Sequence, residues 1–336
     1  MKLGVSLTPG RALELAREAE RLGFATALAP EGDRDAITVL SWVAGQTERI
    51  GLVSGVCQIP GRTPVLAAST AATLNSLCGG RFRLGLGISN SFTADSRHGQ
   101  PFRGPLGRTR EYLEIIRMVL RGEPVRLRGE HYTVPFSEHL DGFRAASDPH
   151  ATPILLAAIG PGNLELAGEI ADGWIGSFCS PAQVEKALPS LRAGRERAGA
   201  TLDGFEILLT VPIAVGDDPR ALAEPIKRYV AKFLSLGHRE RNFYYRLAAE
   251  QGLSEEADRV QSRYLAGDPD GAAAAVPFEF VDAMALLGPP DRIRTRLGQY
   301  ADAGASTLCV GPSAPTLPEQ RAALQVAAAV LPAGAH

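Results

Sequence analysis

Short apolar runs alternate with amphipathic stretches along the whole chain. LGVSL (3–7), ATALAP (25–30), GLVSGVC (51–57), FRLGLGIS (82–89), PILLAAI (153–159), GWIGSF (173–178), FEILLTVPIAV (205–215) and STLCVG (306–311) read as strands. They are continuous and apolar, the pattern of parallel strands covered on both faces. Helical patterns follow them over 10–22, 36–47, 63–78, 106–121, 162–171, 182–199, 219–235 and 317–330. In the first, Leu13, Ala16, Ala19, Glu20 and Leu22 recur near a 3.6 period and Gly23 ends the run. Asp35 is placed to cap the second helix, and Gly79-Gly80 to end the third. Strand–helix alternation of this kind builds parallel βαβ units. Eight such units predict an α/β fold closed as a (β/α)8 TIM barrel. An open doubly wound sheet is the rival, because sequence does not show closure.

Two segments interrupt the rhythm. Residues 122–150, after the fourth helix, contain PVRLRGEHYTVPF, which alternates like a hairpin or extended arm. Residues 236–288, before the eighth strand, contain a charged helical stretch (238–266), a Gly/Ala-rich piece (267–277) and a helix at 279–287. The low-complexity patch AGDPDGAAAAVP (266–277) reads as mobile. Both segments are read as insertions on one domain spanning 1–336, since long insertions in compact domains commonly serve as lids or interaction surfaces.

Composition narrows the partners. Of the 336 residues, 45% are hydrophobic and 21% charged, which is globular usage. The net charge of −2 provides no basic field for nucleic acid or an anionic membrane. Four of the cations are Lys and thirty-one are Arg. Cys57, Cys78, Cys179 and Cys309 match no zinc or redox spacing, and no His pair stands at i, i+4, so no metal site is expected. No run has the length of a membrane span and the N-terminus does not read as a signal peptide, so a reduced, cytoplasmic protein is expected.

Barrel chemistry sits on the loops after the strands. After the fifth strand, Gly160, Pro161, Gly162 and Asn163 open a helix and leave free amides at its positive end. That suits an anion, and also an ordinary tight turn. Gly176, Ser177 and Phe178 end the adjacent strand, and two small-residue turns side by side favour the anion. Position 165 is Glu, so the Rossmann pattern is absent. Gly55 at the third strand end marks a kink or a close approach to a ligand. Cys57 reads first as a small buried thiol. After the fourth strand, Ser89 and Asn90 are polar groups for a cofactor ring. His98 is a general acid–base candidate or a structural loop histidine. After the second strand, Glu31, Asp33 and Arg34 are within reach of the mouth. Arg108 and Glu111 read as a salt-bridged helix face.

The segments PEGDRDAITVLSWVAGQTERIGLVSGV, GGRFRLGLGIS, HGQPFRGPLGRTREYLEIIR and PILLAAIGPGNLELAGEIADGWIGSF together resemble the luciferase-like family. The resemblance is closest to its coenzyme F420-dependent branch, which includes methylenetetrahydromethanopterin reductase. It covers nearly the whole chain, most strongly residues 1–180. It implies a barrel with the cofactor ring against the third and fourth strand ends. It also implies a non-proline cis peptide at Gly55-Val56, forming a bulge behind that ring. The family's phosphate site maps onto Gly160, Pro161, Gly162 and Asn163, with Gly176, Ser177 and Phe178. Homodimers built partly on the second and third helices are implied as well.

The chain departs from the family at three places. Luciferases and the sugar-phosphate dehydrogenases have a His where this chain has Gly32. Those dehydrogenases carry a Glu where this chain has Ile88. Close relatives often have Trp where this chain has Arg97. The resemblance therefore does not extend to sugar-phosphate dehydrogenation. It implies hydride transfer between F420 and a small organic substrate, with His98 or Glu31 as proton donor. The alternative is an FMN-dependent monooxygenase that uses O2 and flavin from a separate reductase. A third reading is a non-catalytic flavin or F420 carrier.

Overall fold

The computed structural model describes residues 1–145 and 150–331. The expected insertion at 122–150 therefore lies partly, at 146–149, outside the described residues. Eight parallel strands form the centre: β1 (Lys2–Ser6), β2 (Thr26–Ala29), β3 (Gly51–Ser54), β4 (Phe82–Gly87), β5 (Ile154–Ala157), β6 (Gly173–Ser177), β7 (Glu206–Val215) and β8 (Thr307–Pro312). Each pairs with the next, and β8 pairs with β1 through Lys2↔Thr307 to Val5↔Val310. The sheet is closed, which excludes the open doubly wound alternative.

Eight helices surround it: α1 (Ala12–Arg21), α2 (Ala36–Ala44), α3 (Pro64–Leu77), α4 (Pro105–Leu120), α5 (Pro161–Ile170), α6 (Pro181–Arg197), α7 (Pro219–Leu234) and α8 (Leu317–Val330). Their starts follow from local chemistry. Proline occupies the first turn of α3 to α8, where its missing N–H costs nothing. Asp35, Thr63, Ser180, Asp218 and Thr316 accept N–H groups as caps, each contributing about 1 kcal/mol. α1 buries Ala12, Leu15, Ala16 and Ala19. This stripe is rotated from the expected one, so that Glu20 reaches across to accept the N–H groups of Glu48, Arg49 and Ile50.

Alternation along the strands fills the barrel in layers. On the floor, Arg83 pairs with Glu206, and Thr26 and Thr307 donate or accept beside them. Above lies an apolar layer of Leu28, Val53, Leu155, Ile175, Leu208 and Cys309. Two residues further along the same phase, the mouth layer consists of Ser6, Pro30, Gly55, Gly87, Ala157, Ser177, Thr210 and Gly311. These are small residues, so the barrel opens where the chemistry of such folds resides.

The interruptions take definite form. Leu127–Arg128 and Thr133–Val134 make the expected hairpin. Arg108 and Glu111 pin it instead of pairing with each other: Glu111 accepts the N–H groups of Glu130, His131 and Tyr132, and Arg108 donates to the Tyr132 hydroxyl. In the second interruption, the Gly/Ala-rich patch holds a helix, Pro269–Ala274, capped by Asp268. The helix expected at 279–287 ends early. Phe278–Ala283 is helical, whereas Leu286–Gly288 is a strand beside β7. A further helix, Pro290–Asp302, precedes β8. These segments pack on α7 through a second apolar cluster that includes Ile226, Val230, Phe280 and Met284.

Candidate functional site

The mouth layer divides into two halves. On β3 to β5 its positions are Gly55, Gly87 and Ala157, which leave mostly backbone. A side chain at Gly55 would run into Leu28. The Gly55–Val56 peptide bond is cis, where the family resemblance puts it. Val56 lies over Gly87: a Cβ there would come within 2.6 Å of Val56 Cγ2. On β1, β6 and β7 the positions are hydroxylic: Ser6, Ser177 and Thr210. Ser177 Oγ and Thr210 Oγ1 are 2.8 Å apart. A cavity of about 470 Å3 opens over this second half, bounded also by Leu7, Pro30, Val211, Ile226, Tyr229 and Met284.

Among the described residues, Ser89 (φ 67°) and Phe178 (φ 57°) are the non-glycine residues with positive φ. Both follow barrel strands at the mouth. Left-handed backbone on bulky residues costs free energy and concentrates at functional sites. Phe178 is held by rings: it stacks on Tyr229 with centroids 5.7 Å apart and meets Tyr244 edge-on at 4.9 Å.

The start of α5 is open. Gly160 is its N-cap with no side-chain cap, Pro161 follows, and the amides of Gly162 and Asn163 are left facing outward. A Cβ at Gly160 would meet no atom within 4 Å. The neighbouring α6 start differs, since Ser180 and Gln183 close it with a capping box. Gly176 is not brought to the mouth. It faces the helix layer, against Leu209 and Trp174, because it is out of phase with Ile175 and Ser177.

The acid–base candidates converge on Gln58, a residue the sequence reading passed over. Its backbone N–H donates to Glu31 at 3.3 Å, and its Oε1 lies 2.7 Å from His98 Nε2 and 3.5 Å from Ser89 Oγ. An amide oxygen only accepts, so His98 carries its proton on Nε2. Burial and the Arg97 charge hold the imidazole below its ordinary pKa, against an opposing pull from Glu31. Glu31 is enclosed, with its Oε2 3.8 Å from Arg62 and without a hydrogen-bond partner. Arg62 also pairs with Asp35, which caps α2 as expected. Burial and Glu31 push the Cys57 thiol up to about 12, so it is a protonated core group. Asn90 spends its side-chain oxygen on Thr93 N–H, capping a helix, Ser91–His98, in what reads from sequence as a loop.

Gln58 and Thr210 carried one sequence signal each. Gln58 is a polar residue between apolar Cys57 and Ile59 beyond a strand end. Thr210 shares the inward phase of Glu206 and Leu208.

A model of the luciferase-like monooxygenase family matches residues 2–307. The chain belongs to this family. A Mycobacterium tuberculosis protein provisionally named a coenzyme F420-dependent oxidoreductase is 36% identical over 92% of this chain and 94% of its own. The 5,10-methylenetetrahydromethanopterin reductase of Archaeoglobus fulgidus is 29% identical over 88% of this chain and 86% of its own. Among solved structures, the coenzyme F420-dependent tetrahydromethanopterin reductase of Methanopyrus kandleri superposes with a TM-score of 0.83 at 25% identity, covering 98% of both chains. This luciferase-like chain is thus an oxidoreductase of a family whose members use F420 or flavin.

Proposed function

We propose that the chain is a coenzyme F420-dependent oxidoreductase that transfers a hydride between deazaflavin and a small organic substrate at the barrel mouth. Whole-length similarity to F420-dependent relatives carries the choice of cofactor. The site fits such a group. The side-chain-poor half at Gly55, Val56, Gly87 and Ala157 accommodates a flat ring. The uncapped start of α5 presents Gly160, Pro161, Gly162 and Asn163 to a phosphate, with Phe178 on the adjacent strand end. Ser89 borders the ring half, and Asn90 holds the Ser91–His98 helix beside it.

When bound, the deazaflavin would supply the hydride chemistry. The protein's part is orientation and proton supply. His98 is the acid–base residue we favour; with its Nε2–H held by Gln58, it would act through Nδ1, giving a proton as imidazolium or taking one as imidazole. Glu31 acts on it indirectly, through the Gln58 backbone. The luciferase-like family name supports a second reading, an FMN-dependent monooxygenase. Exposed Trp42 and Leu77 on α2 and α3 support a homodimer through those helices. Four free cysteines support a cytoplasmic setting, and no described helix is long and apolar enough to cross a membrane.

The test is turnover. Reduced F420 should be oxidised steadily when the correct substrate is added anaerobically. Oxygen consumption with reduced FMN and no F420 oxidation would replace the proposal with the monooxygenase. Binding without any turnover would leave a carrier.

A further inference from the structure

The cavity over β1, β7 and β8 has no Asp, Glu, Lys, Arg or His among its described lining residues. Its walls are Leu7, Pro30, Val211, Ile226, Val230 and Met284, and its polar groups include the hydroxyls of Ser6, Ser177 and Thr210. An ionised guest would lose part of its water here and gain no counter-ion, whereas a neutral one gains apolar contact. Its volume of about 470 Å3 suits a small molecule.

The hydroxyl pair adds direction. Ser177 Oγ and Thr210 Oγ1, 2.8 Å apart, share one hydrogen bond. That uses one of their two protons, so one O–H remains to donate to a guest. The pair stands in the mouth layer, across the barrel from the glycine-rich half proposed to take the cofactor ring.

We infer that the substrate is a neutral, largely apolar molecule with a hydrogen-bond-accepting oxygen, received in this cavity by the Ser177–Thr210 hydroxyl pair. Ser177 and Thr210 are then specificity-determining residues. The inference rests on the F420 reading for the word substrate, while the binding it describes is measurable without cofactor.

The experiment is calorimetric titration of the protein, with and without F420, using cyclohexanone and cyclohexanecarboxylate at neutral pH. Cyclohexanone should bind at least about tenfold more tightly than the carboxylate, whose charge meets no cation among the described lining residues. Ser177→Ala with Thr210→Val, which removes both hydroxyls, should weaken cyclohexanone about tenfold, the loss of the one O–H that the pair offers, whereas Thr210→Val alone leaves Ser177 free to donate and should change it little. Thr210→Ser, which keeps the hydroxyl, should bind the ketone like the native protein. Equal binding of the two probes, or a Ser177→Ala, Thr210→Val protein indistinguishable from native, would overturn the inference. Ketone selectivity without any F420 binding would remove the cofactor reading and keep this cavity as a site for a neutral guest. F420 binding without ketone selectivity would do the reverse.

Discussion

His98 Nε2 lies 2.7 Å from Gln58 Oε1, and this contact joins the end of the Ser91–His98 helix to the short strand Cys57–Gln58 that follows β3. It sets the tautomer of His98 and links it, through the Gln58 backbone N–H, to Glu31. Burial and the Arg97 charge together outweigh Glu31, so the imidazole titrates below its ordinary pKa.

That direction has a sign. As pH falls below about 6.5, an unfolded chain protonates this histidine before the folded protein does. Stability from the site is complete above that pH and declines from there down to the folded pKa. Nitrogen-detected NMR of the imidazole should show a midpoint below 6.5 with the proton on Nε2. His98→Gln should flatten the stability-versus-pH curve in that window. A midpoint above 6.5 would contradict the geometry.

Arg62 faces the enclosed carboxylate of Glu31 at 3.8 Å, where Glu31 keeps only 9% of its side chain exposed. Arg62→Met removes the charge and leaves the carboxylate nearly dry. A loss of about 3 kcal/mol in urea unfolding is expected, the low end for a broken buried pair. Arg62→Met with Glu31→Gln should recover part of that loss. A single variant within about 0.5 kcal/mol of native would show that water already solvates Glu31.

Ser89 adopts φ 67° beside the proposed ring site. Ser89→Gly relieves that conformation and should be neutral or slightly stabilising. Ser89→Val places a β-branched residue where the left-handed region excludes it and should cost about 2 kcal/mol. Thermal unfolding of the pair measures the difference. Equal melting temperatures would mean that the backbone there is not left-handed.

Gly160→Asp tests the uncapped start of α5. A Cβ there meets no neighbour, so the fold should tolerate the change and keep its melting temperature. A carboxylate beside the free amides would occupy them and repel a phosphate, weakening F420 about tenfold. Unchanged affinity would move the phosphate elsewhere.

The barrel was legible because its strands are buried on both faces and its helices carry proline and caps at their starts. Closure was not, since it depends on β8 meeting β1 across the length of the chain. Leu286 and Leu287 fall inside the helix expected at 279–287 because two apolar residues at a helix end carry no period of their own. Pro290–Asp302 was missed because its charged surface hides a sparse buried stripe of Ile293, Leu297 and Tyr300. At the site, glycines at strand ends pointed to the mouth, but whether each faced inward depended on phase. Gly55 lies in phase and Gly176 does not. Gln58 was overlooked because its importance lies in contacts with residues 27 to 40 positions away.

The central claim is that this mouth takes a deazaflavin. Fluorescence titration of the purified protein with F420 and, separately, with FMN tests it most directly. Saturable quenching of F420 at lower concentration than FMN is the expected result. Tight FMN binding with no F420 binding would contradict it.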